Sequence, residues 1–200
     1  MYNQVSAKKS IFSTSSMVKI SILSILSYLI MFIEFPVMFF PAFLKLDFSD
    51  IPAIICGFSL GPVAGIFVEL IKNLLHFVTK SSTGGVGEFA NFLVGGGFVF
   101  VSSGIYYINK NKKNAILGCI AGTVAMAVIG GIANYYILIP FYSNMFPIEA
   151  IVKMGSVVNS AIVDVKTLIY YAVIPFNLIK GIVVSFITAV LYKKVSMVLK

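Results

Sequence analysis

The chain has 200 residues, of which 59% are hydrophobic and only 11% are charged, whereas soluble domains average about 45–50% and about 25%. A soluble fold of this length could not bury so much apolar surface, so the composition predicts an integral membrane protein. The formal net charge is +8, but no basic cluster falls on a predicted soluble surface, which excludes a nucleic-acid partner.

Uncharged runs long enough to cross a bilayer follow one another along the chain. The clearest cover residues 51–68, 89–108 and 114–148, and each is near or above the ~20 residues that a spanning helix needs. Glycine and proline positions divide these runs into shorter elements. We predict an all-α membrane protein with one domain over residues 1–200 and six helices, at about 17–33, 51–60, 62–79, 88–108, 115–139 and 175–192.

Two irregular segments are predicted on the outer side. Residues 34–50 are apolar but contain Pro36 and Pro41, which interrupt regular structure. Because lipid does not tolerate irregular backbone, this loop must fold back over the protein or line a cavity, and it is a candidate lid. Residues 141–174 carry polar residues at mixed spacing and are predicted to form an outer connection with a short amphipathic helix.

The lysines divide into two groups. Six of the 15 share their segments with all seven acidic residues, whereas nine stand in segments that contain no acid. The positive-inside rule places these nine in the cytoplasm. Because they include both ends of the chain, both termini are predicted to be cytoplasmic and the number of spans to be even, with six favoured by the length. The nine are Lys8, Lys9, Lys19, Lys110, Lys112, Lys113, Lys193, Lys194 and Lys200.

Signals for catalysis or metal binding are missing from the sequence. Cys56 and Cys119 stand singly in apolar segments, and His76 has no Cys or Glu at ligand spacing, so no metal site is predicted. Paired catalytic carboxylates, a nucleophile with its base and a phosphate-binding P-loop are not found either. We therefore predict that the chain is not an enzyme and carries no cofactor.

Three polar residues occupy segments in which the membrane disfavours them. Lys180 is the single charge between residues 166 and 193, and a lysine far from a helix end costs at least ~2.5–3.5 kcal/mol on insertion scales. Asn177 shares its helix face, and Asn134 precedes two tyrosines in the long uncharged run. Amides that donate and accept, beside flat aromatic rings, suit a planar heterocyclic ligand.

Structural roles stay open for the same residues. Lys180 could extend to the outer headgroups or pair with an acid, and Asn134 could clamp two helices together. Glu69 and Lys72, one helical turn apart, could neutralise each other. The acids that Lys180 could reach are Asp47, Asp50 and Glu88.

Six motifs follow one another between about residue 20 and residue 195: LDFSDIP, GPVAG, LIKNLLH, GEFANFL, ANYYILIPFY and IPFNLIKG. In these motifs the chain resembles the riboflavin-binding S-component of energy-coupling factor (ECF) vitamin transporters. The resemblance implies a six-helix bundle in a bacterial cell membrane that binds riboflavin at its extracellular side. It also implies partners, namely a transmembrane coupling protein and two cytoplasmic subunits that hydrolyse ATP.

The resemblance assigns residues by their place in these motifs. It implies that the irregular first loop and the outer parts of later helices hold the flavin, through Leu44, Leu46, Asp47, Asn91, Asn134, Asn177 and Lys180. In this family the first helix carries a small-residue face that meets the coupling protein. The corresponding stretch here is ISILSILSY, which places serines at three-residue spacing, at Ser21, Ser24 and Ser27.

Two other functions stay open on the residues alone. An S-component for another vitamin would present similar polar groups, because hydrogen-bond donors by themselves do not select a flavin. A self-sufficient ion-coupled carrier could use Glu69, Lys72 and Lys180 as a charge relay.

Overall fold

The computed structural model describes residues 11–81 and 83–199, with side chains up to residue 192. This part of the chain is nearly all helical. Among the lysines predicted to be cytoplasmic, Lys8, Lys9, Lys193, Lys194 and Lys200 lie outside the described residues or side chains. The helices are α1 Thr14–Met31, α2 Asp50–Leu60, α3 Pro62–Lys80, α4 Val86–Ile108, α5 Lys112–Ser143, α6 Ile148–Ser156 and α7, which begins at Val165 and ends at Leu199.

Five of these helices are long and apolar enough to cross a membrane: α1, α3, α4, α5 and the Val165–Tyr192 part of α7. The prediction of an all-α membrane protein is confirmed, and the chain is a multi-pass membrane protein. Helix α2 has only 11 residues, which makes it about 16 Å long, short of the ~30 Å hydrocarbon core. The described residues thus give five helices of spanning length where six were predicted.

Helix α2 lies at the centre of the bundle and packs against α1, α3, α4 and α7. All its residues from Asp50 to Phe58 are buried, as expected of a helix that is apolar around its whole circumference. It ends at Gly61, whose φ of 111° favours glycine, and Pro62 opens α3 at a position where a missing N–H costs nothing. The surrounding core comprises Ile54, Cys56, Val68, Phe98, Met126 and Val184.

Glycines bring α4 and α5 into close contact. A Cβ added at Gly122 would lie 2.9 Å from the carbonyl oxygen of Phe98, and one at Gly118 would collide with the carbonyl oxygen of Ser102. Small residues at a membrane helix interface allow this approach of two backbones.

The motif YYxxIPF occurs twice, at residues 135–141 and 170–176. Each copy forms a π-helical turn, Asn134–Leu138 in α5 and Ile169–Val173 in α7, just before Pro140 and Pro175. A proline inside an α-helix lacks an N–H and clashes with the carbonyl four residues earlier, and the wider π-turn relieves that clash. Helix α5 therefore continues past its predicted end at residue 139.

Helix α7 likewise begins well before the predicted start at residue 175. Asp164 caps it, because Asp164 Oδ1 accepts a hydrogen bond from the Thr167 backbone N–H at 2.7 Å and the Asp164 N–H donates to the Thr167 hydroxyl at 2.9 Å. This capping box satisfies the free donors of the first turn. The Thr167 hydrogen bonds also hold the pKa of Asp164 below its ordinary value.

The segment that was predicted on the outer side, here named the outer loop, covers residues 32–49 and folds over one end of the later helices. It contains one antiparallel ribbon, β1 Phe35–Pro36 with β2 Lys45–Leu46. Phe40 packs edge-on against Phe176 of α7, with ring centroids 5.4 Å apart. A second apolar cluster joins the loop to α6 and α7, and it includes Leu44, Leu46, Ile151, Ile162, Leu168 and Phe176.

Candidate functional site

Lys180 ties the outer loop to two helices. Its Nζ lies 2.9 Å from Asp47 Oδ2 in the loop and 3.1 Å from Asp50 Oδ2 at the start of α2. The lysine is only 6% exposed, so this is a buried pairing and not a side chain extended to the headgroups. Of the acids considered from the sequence, Asp47 and Asp50 are its partners.

Asp47 is held from two sides. Its Oδ1 accepts hydrogen bonds from the backbone N–H of Ser49 at 2.9 Å and from the Ser49 hydroxyl, while Oδ2 faces Lys180. Burial raises the pKa of Asp47, but the Lys180 ammonium and the Ser49 donors outweigh burial and leave the pKa below its ordinary value. Asp47 is thus an ionised anchor for the end of the loop.

The ion pairs extend inward to α3. Lys72 Nζ lies 2.5 Å from Asp50 Oδ1 and 2.9 Å from Glu69 Oε2, and it donates to the Ser49 hydroxyl at 2.9 Å. The sequence indicated the Glu69–Lys72 pair but not that Asp50 joins it. We call the connected set of buried ionisable residues the charge cluster, which comprises Asp47, Asp50, Glu69, Lys72 and Lys180.

Asn134 and Asn177 both approach Gly130, where α5 packs against α7. Asn134 Nδ2 donates to the carbonyl oxygen of Gly130 at 2.8 Å, and Asn177 Nδ2 donates to that of Val173 at 2.9 Å. A Cβ added at Gly130 would lie 2.6 Å from Asn177 Nδ2. Each amide therefore keeps one N–H and its own oxygen for a ligand, and Asn177 lies on the same face of α7 as Lys180.

Gly130 is a site residue that sequence reasoning missed. It lets the Asn177 side chain approach the backbone of α5 and accepts the hydrogen bond of Asn134. The available signal was its position, since it stands one helical turn before Asn134 and therefore on the same face.

The other predicted binding residues fall into two places. Leu44 and Leu46 are buried in the apolar cluster that joins the loop to α7, next to the lysine-bound Asp47. Asn91 lies on α4, one turn before Gly95, where an added Cβ would lie 2.6 Å from Glu69 Oε2 and 3.0 Å from Asp50 Oδ1. By this spacing Asn91 belongs on the face of α4 that lies beside the charge cluster.

The three serines of α1 do not share one surface. Ser24 and Ser27 are fully buried. The Ser24 hydroxyl donates to the Ile20 carbonyl oxygen at 2.7 Å, and the Ser27 hydroxyl donates to that of Ser49. Ser21 is exposed. Serines at three-residue spacing are neighbours on a helix, but here most of that face packs inside the bundle.

Two cavities open at the surface of the helices that carry the predicted binding residues. One of about 670 Å³ lies between Tyr135, α6 and the start of α7, with Lys153 and Lys166 among its lining residues. The other, of about 400 Å³, lies between α3 and α4. Both volumes are in the range of small-molecule pockets, about 300–1,000 Å³. The larger one is lined by Tyr135, which follows Asn134 in the chain, but not by Asn134 itself.

The chemistry of the site is that of recognition. Apolar side chains, two amides and a lysine with a spare N–H surround the junction of the loop, α5 and α7. Such a set can enclose a planar molecule and match its edge donors and acceptors. Among the described residues, no group of three or more His, Cys, Asp or Glu side chains could hold a metal ion.

Comparison with known proteins gives the family. The family model for the substrate-specific component of ECF transporters matches residues 15–192. The riboflavin transporter RibU of Staphylococcus aureus (strain TCH60) is 38% identical over 184 residues, which is 92% of each chain. The riboflavin transporter FmnP of Bacillus subtilis (strain 168) is 34% identical over 180 residues, covering 89% of this chain and 90% of that protein.

A solved structure of the S component of a bacterial ECF transporter has the same fold. It superposes with a TM-score of 0.71 at 39% identity and covers 92% of this chain and 96% of that one. These relatives are transporter components and not enzymes, in agreement with the prediction from the sequence. The chain belongs to the family of ECF transporter substrate-specific components.

Proposed function

We propose that the chain is the high-affinity riboflavin-binding subunit of an ATP-dependent ECF vitamin transporter. The observation that carries this proposal is the junction at Gly130, which the amides of Asn134 and Asn177 both approach, on the helix face from which Lys180 holds the loop. The names of the relatives, riboflavin transporters at 34% and 38% identity over most of the chain, support the choice of vitamin.

The proposed binding mode uses the free groups of this junction. The isoalloxazine presents ring carbonyls and a ring N–H, which the remaining amide groups of Asn134 and Asn177 can match. An ammonium has three donors, and Lys180 donates one of them to Asp47. Asp50 Oδ2 lies at an ion-pair distance of 3.1 Å without hydrogen-bond geometry, so Lys180 keeps a donor for a flavin carbonyl.

Three further residues complete this proposed mode. Leu44 and Leu46 would supply apolar contact to the ring system from the loop. Asn91 would act from α4, beside the charge cluster.

We also propose that α2 is the sixth membrane crossing, so that both termini lie in the cytoplasm. Although short, α2 is buried among other helices from Asp50 to Phe58, so this part of it needs no contact with lipid. Six crossings return the chain to the side on which it began, together with the loop between α4 and α5. That loop carries Lys110, Lys112 and Lys113, as the positive-inside rule requires of a cytoplasmic loop.

The proposed partners are a transmembrane coupling protein and two cytoplasmic ATPases. Membership of the ECF family supports them in general terms. Because Ser24 and Ser27 are buried, we propose that the contact face on α1 is built around Ser21 and the exposed Ile25 and Leu29, which follow at four-residue spacing.

Riboflavin binding is tested directly by the absorption spectrum of the purified protein. We expect flavin absorption to co-purify with the chain, and riboflavin fluorescence to be quenched when ligand-free protein is titrated at micromolar riboflavin. Thiamine and biotin, added in excess as controls, should not reverse the quenching. A colourless protein that leaves flavin fluorescence unchanged would refute the proposal. If thiamine or biotin instead raised the unfolding temperature of such a protein, the chain would be an S-component of different specificity.

A further inference from the structure

The charge cluster is unbalanced. It contains three carboxyl groups, from Asp47, Asp50 and Glu69, but only two ammonium groups, from Lys72 and Lys180. Every member is less than a tenth exposed. If all five were ionised, the interior would hold one uncompensated negative charge. A buried group in this position neutralises itself by changing its protonation state.

Glu69 is the carboxyl with the least compensation. Asp47 has Lys180 and both donors of Ser49, and Asp50 lies within 3.1 Å of both lysines. Glu69 has only Lys72, whose three protons are divided among Ser49, Asp50 and Glu69 Oε1. The contact of Lys72 with Glu69 Oε2 is an ion-pair distance without hydrogen-bond geometry, so that oxygen has no donor.

The surroundings of Glu69 also lack a donor. Four buried oxygens in this part of the described structure have no hydrogen-bond partner: Asp50 Oδ2, Glu69 Oε2, Asn73 Oδ1 and Asn91 Oδ1. Of these, Asp50 Oδ2 lies 3.1 Å from the second ammonium, that of Lys180. Asn73 follows Glu69 by one turn of α3, and Asn91 precedes Gly95, the glycine that faces Glu69 Oε2, by one turn of α4. All four atoms are acceptors, and unsatisfied buried acceptors are costly. A carboxyl proton would supply the missing donor.

We propose that Glu69 carries a proton in this structure and that the charge cluster is therefore neutral. The other ionisable groups that face Glu69 are Asp50 from α2, Lys72 from α3, and, further out, Asp47 and Lys180. The next titratable pair along α3 and α4, His76 and Glu88, is self-contained, with His76 Nδ1 2.9 Å from Glu88 Oε1. The charge cluster thus holds a single proton, on Glu69. This proposal does not depend on which vitamin the protein binds.

Infrared spectroscopy of the purified 200-residue chain at neutral pH tests whether Glu69 is protonated. Surface carboxyl groups are ionised there, so a carboxylic-acid C=O band that shifts in D₂O reports a buried protonated group. We expect this band in the wild type and its loss in Glu69→Gln. Glu149→Gln, the same substitution at an exposed position, should retain the band.

Absence of the band from the wild type would overturn the proposal, and so would a band that survives in Glu69→Gln. Glutamine has the shape and the hydrogen-bonding groups of a protonated glutamate, so we also expect Glu69→Gln to elute as a monodisperse protein with an unchanged circular-dichroism melt. Misfolding of that variant would mean that Glu69 is needed as an anion, which contradicts the proposal.

Discussion

Lys180 differs from the two asparagines in how much of the structure depends on it. Its ammonium compensates Asp47 and Asp50 together, and removing one partner of a buried ion pair typically costs about 3–5 kcal/mol. Each asparagine donates a hydrogen bond to a carbonyl oxygen of its own helix. Among the described contacts, neither asparagine side chain pairs with a charged group. A loss of binding in a Lys180 variant can therefore result from lost stability, whereas in an asparagine variant it reports a lost ligand contact.

Asn134→Ala and Asn177→Ala should each weaken riboflavin binding by about two- to tenfold, because each removes a ligand hydrogen bond worth ~0.5–1.5 kcal/mol. The unfolding temperature of the ligand-free protein should change little in both. Calorimetric titration and thermal unfolding measure the two quantities. Lys180→Ala is the contrasting variant and should lose stability as well as affinity. Wild-type affinity in both asparagine variants would place the pocket elsewhere.

At this scale the sequence predicted which residues are unusual but not what they contact. The cost of a lysine in an apolar helix singled out Lys180, and Asp47 and Asp50 were among its possible partners. The partner Asp47 stands 133 positions earlier in the chain, a separation that no local pattern describes. The burial of Ser24 and Ser27 depends in the same way on how α1 packs against α2.

Among the elements, α5 and α7 departed most from expectation. Proline is a reliable signal for a helix boundary, and the sequence therefore predicted that α5 ends before Pro140 and that the last helix starts at Pro175. Neighbouring π-turns keep both prolines inside continuous helices. The repeated YYxxIPF motif was the visible sign, but a π-turn depends on packing between the two helices and not on residue preference alone.

Gly118→Ala tests the close contact between α4 and α5. The added methyl group would meet the backbone carbonyl oxygen of Ser102, which cannot move aside as a side chain can. We expect a loss of about 1–3 kcal/mol in unfolding free energy, measured by thermal or denaturant unfolding in detergent. Gly104→Ala is the matched control, because nothing lies within 4 Å of its added Cβ, and it should be neutral or gain up to ~1 kcal/mol. Equal effects of the two substitutions would contradict the packing described.

For the whole molecule, composition and hydropathy were sufficient to predict the fold class. A helix satisfies all the backbone hydrogen bonds of a long uncharged run in lipid, and the described residues contain five helices of spanning length. What could not be predicted was the arrangement around α2, because a uniformly apolar helix carries no preferred face and its neighbours are decided by the packing of all the others.

Transport measurements distinguish the proposed subunit from an ion-coupled carrier. In proteoliposomes that contain this chain alone, we expect no riboflavin accumulation under an imposed sodium or proton gradient. Uptake should appear when the coupling protein, both ATPases and ATP are supplied, and a non-hydrolysable ATP analogue should abolish it. Accumulation by the chain alone would favour a carrier in which Glu69, Lys72 and Lys180 relay charge.

The shortness of α2 sets the depth at which a vitamin would wait. The anchors Asp47 and Lys180 lie at the N-terminal end of α2, and its 11 residues cover only about 16 Å. In the proposed topology, a flavin bound above α2 has already crossed roughly half of the ~30 Å hydrocarbon layer. The ATP-driven step then has to carry it only the length of three helical turns to the cytoplasm.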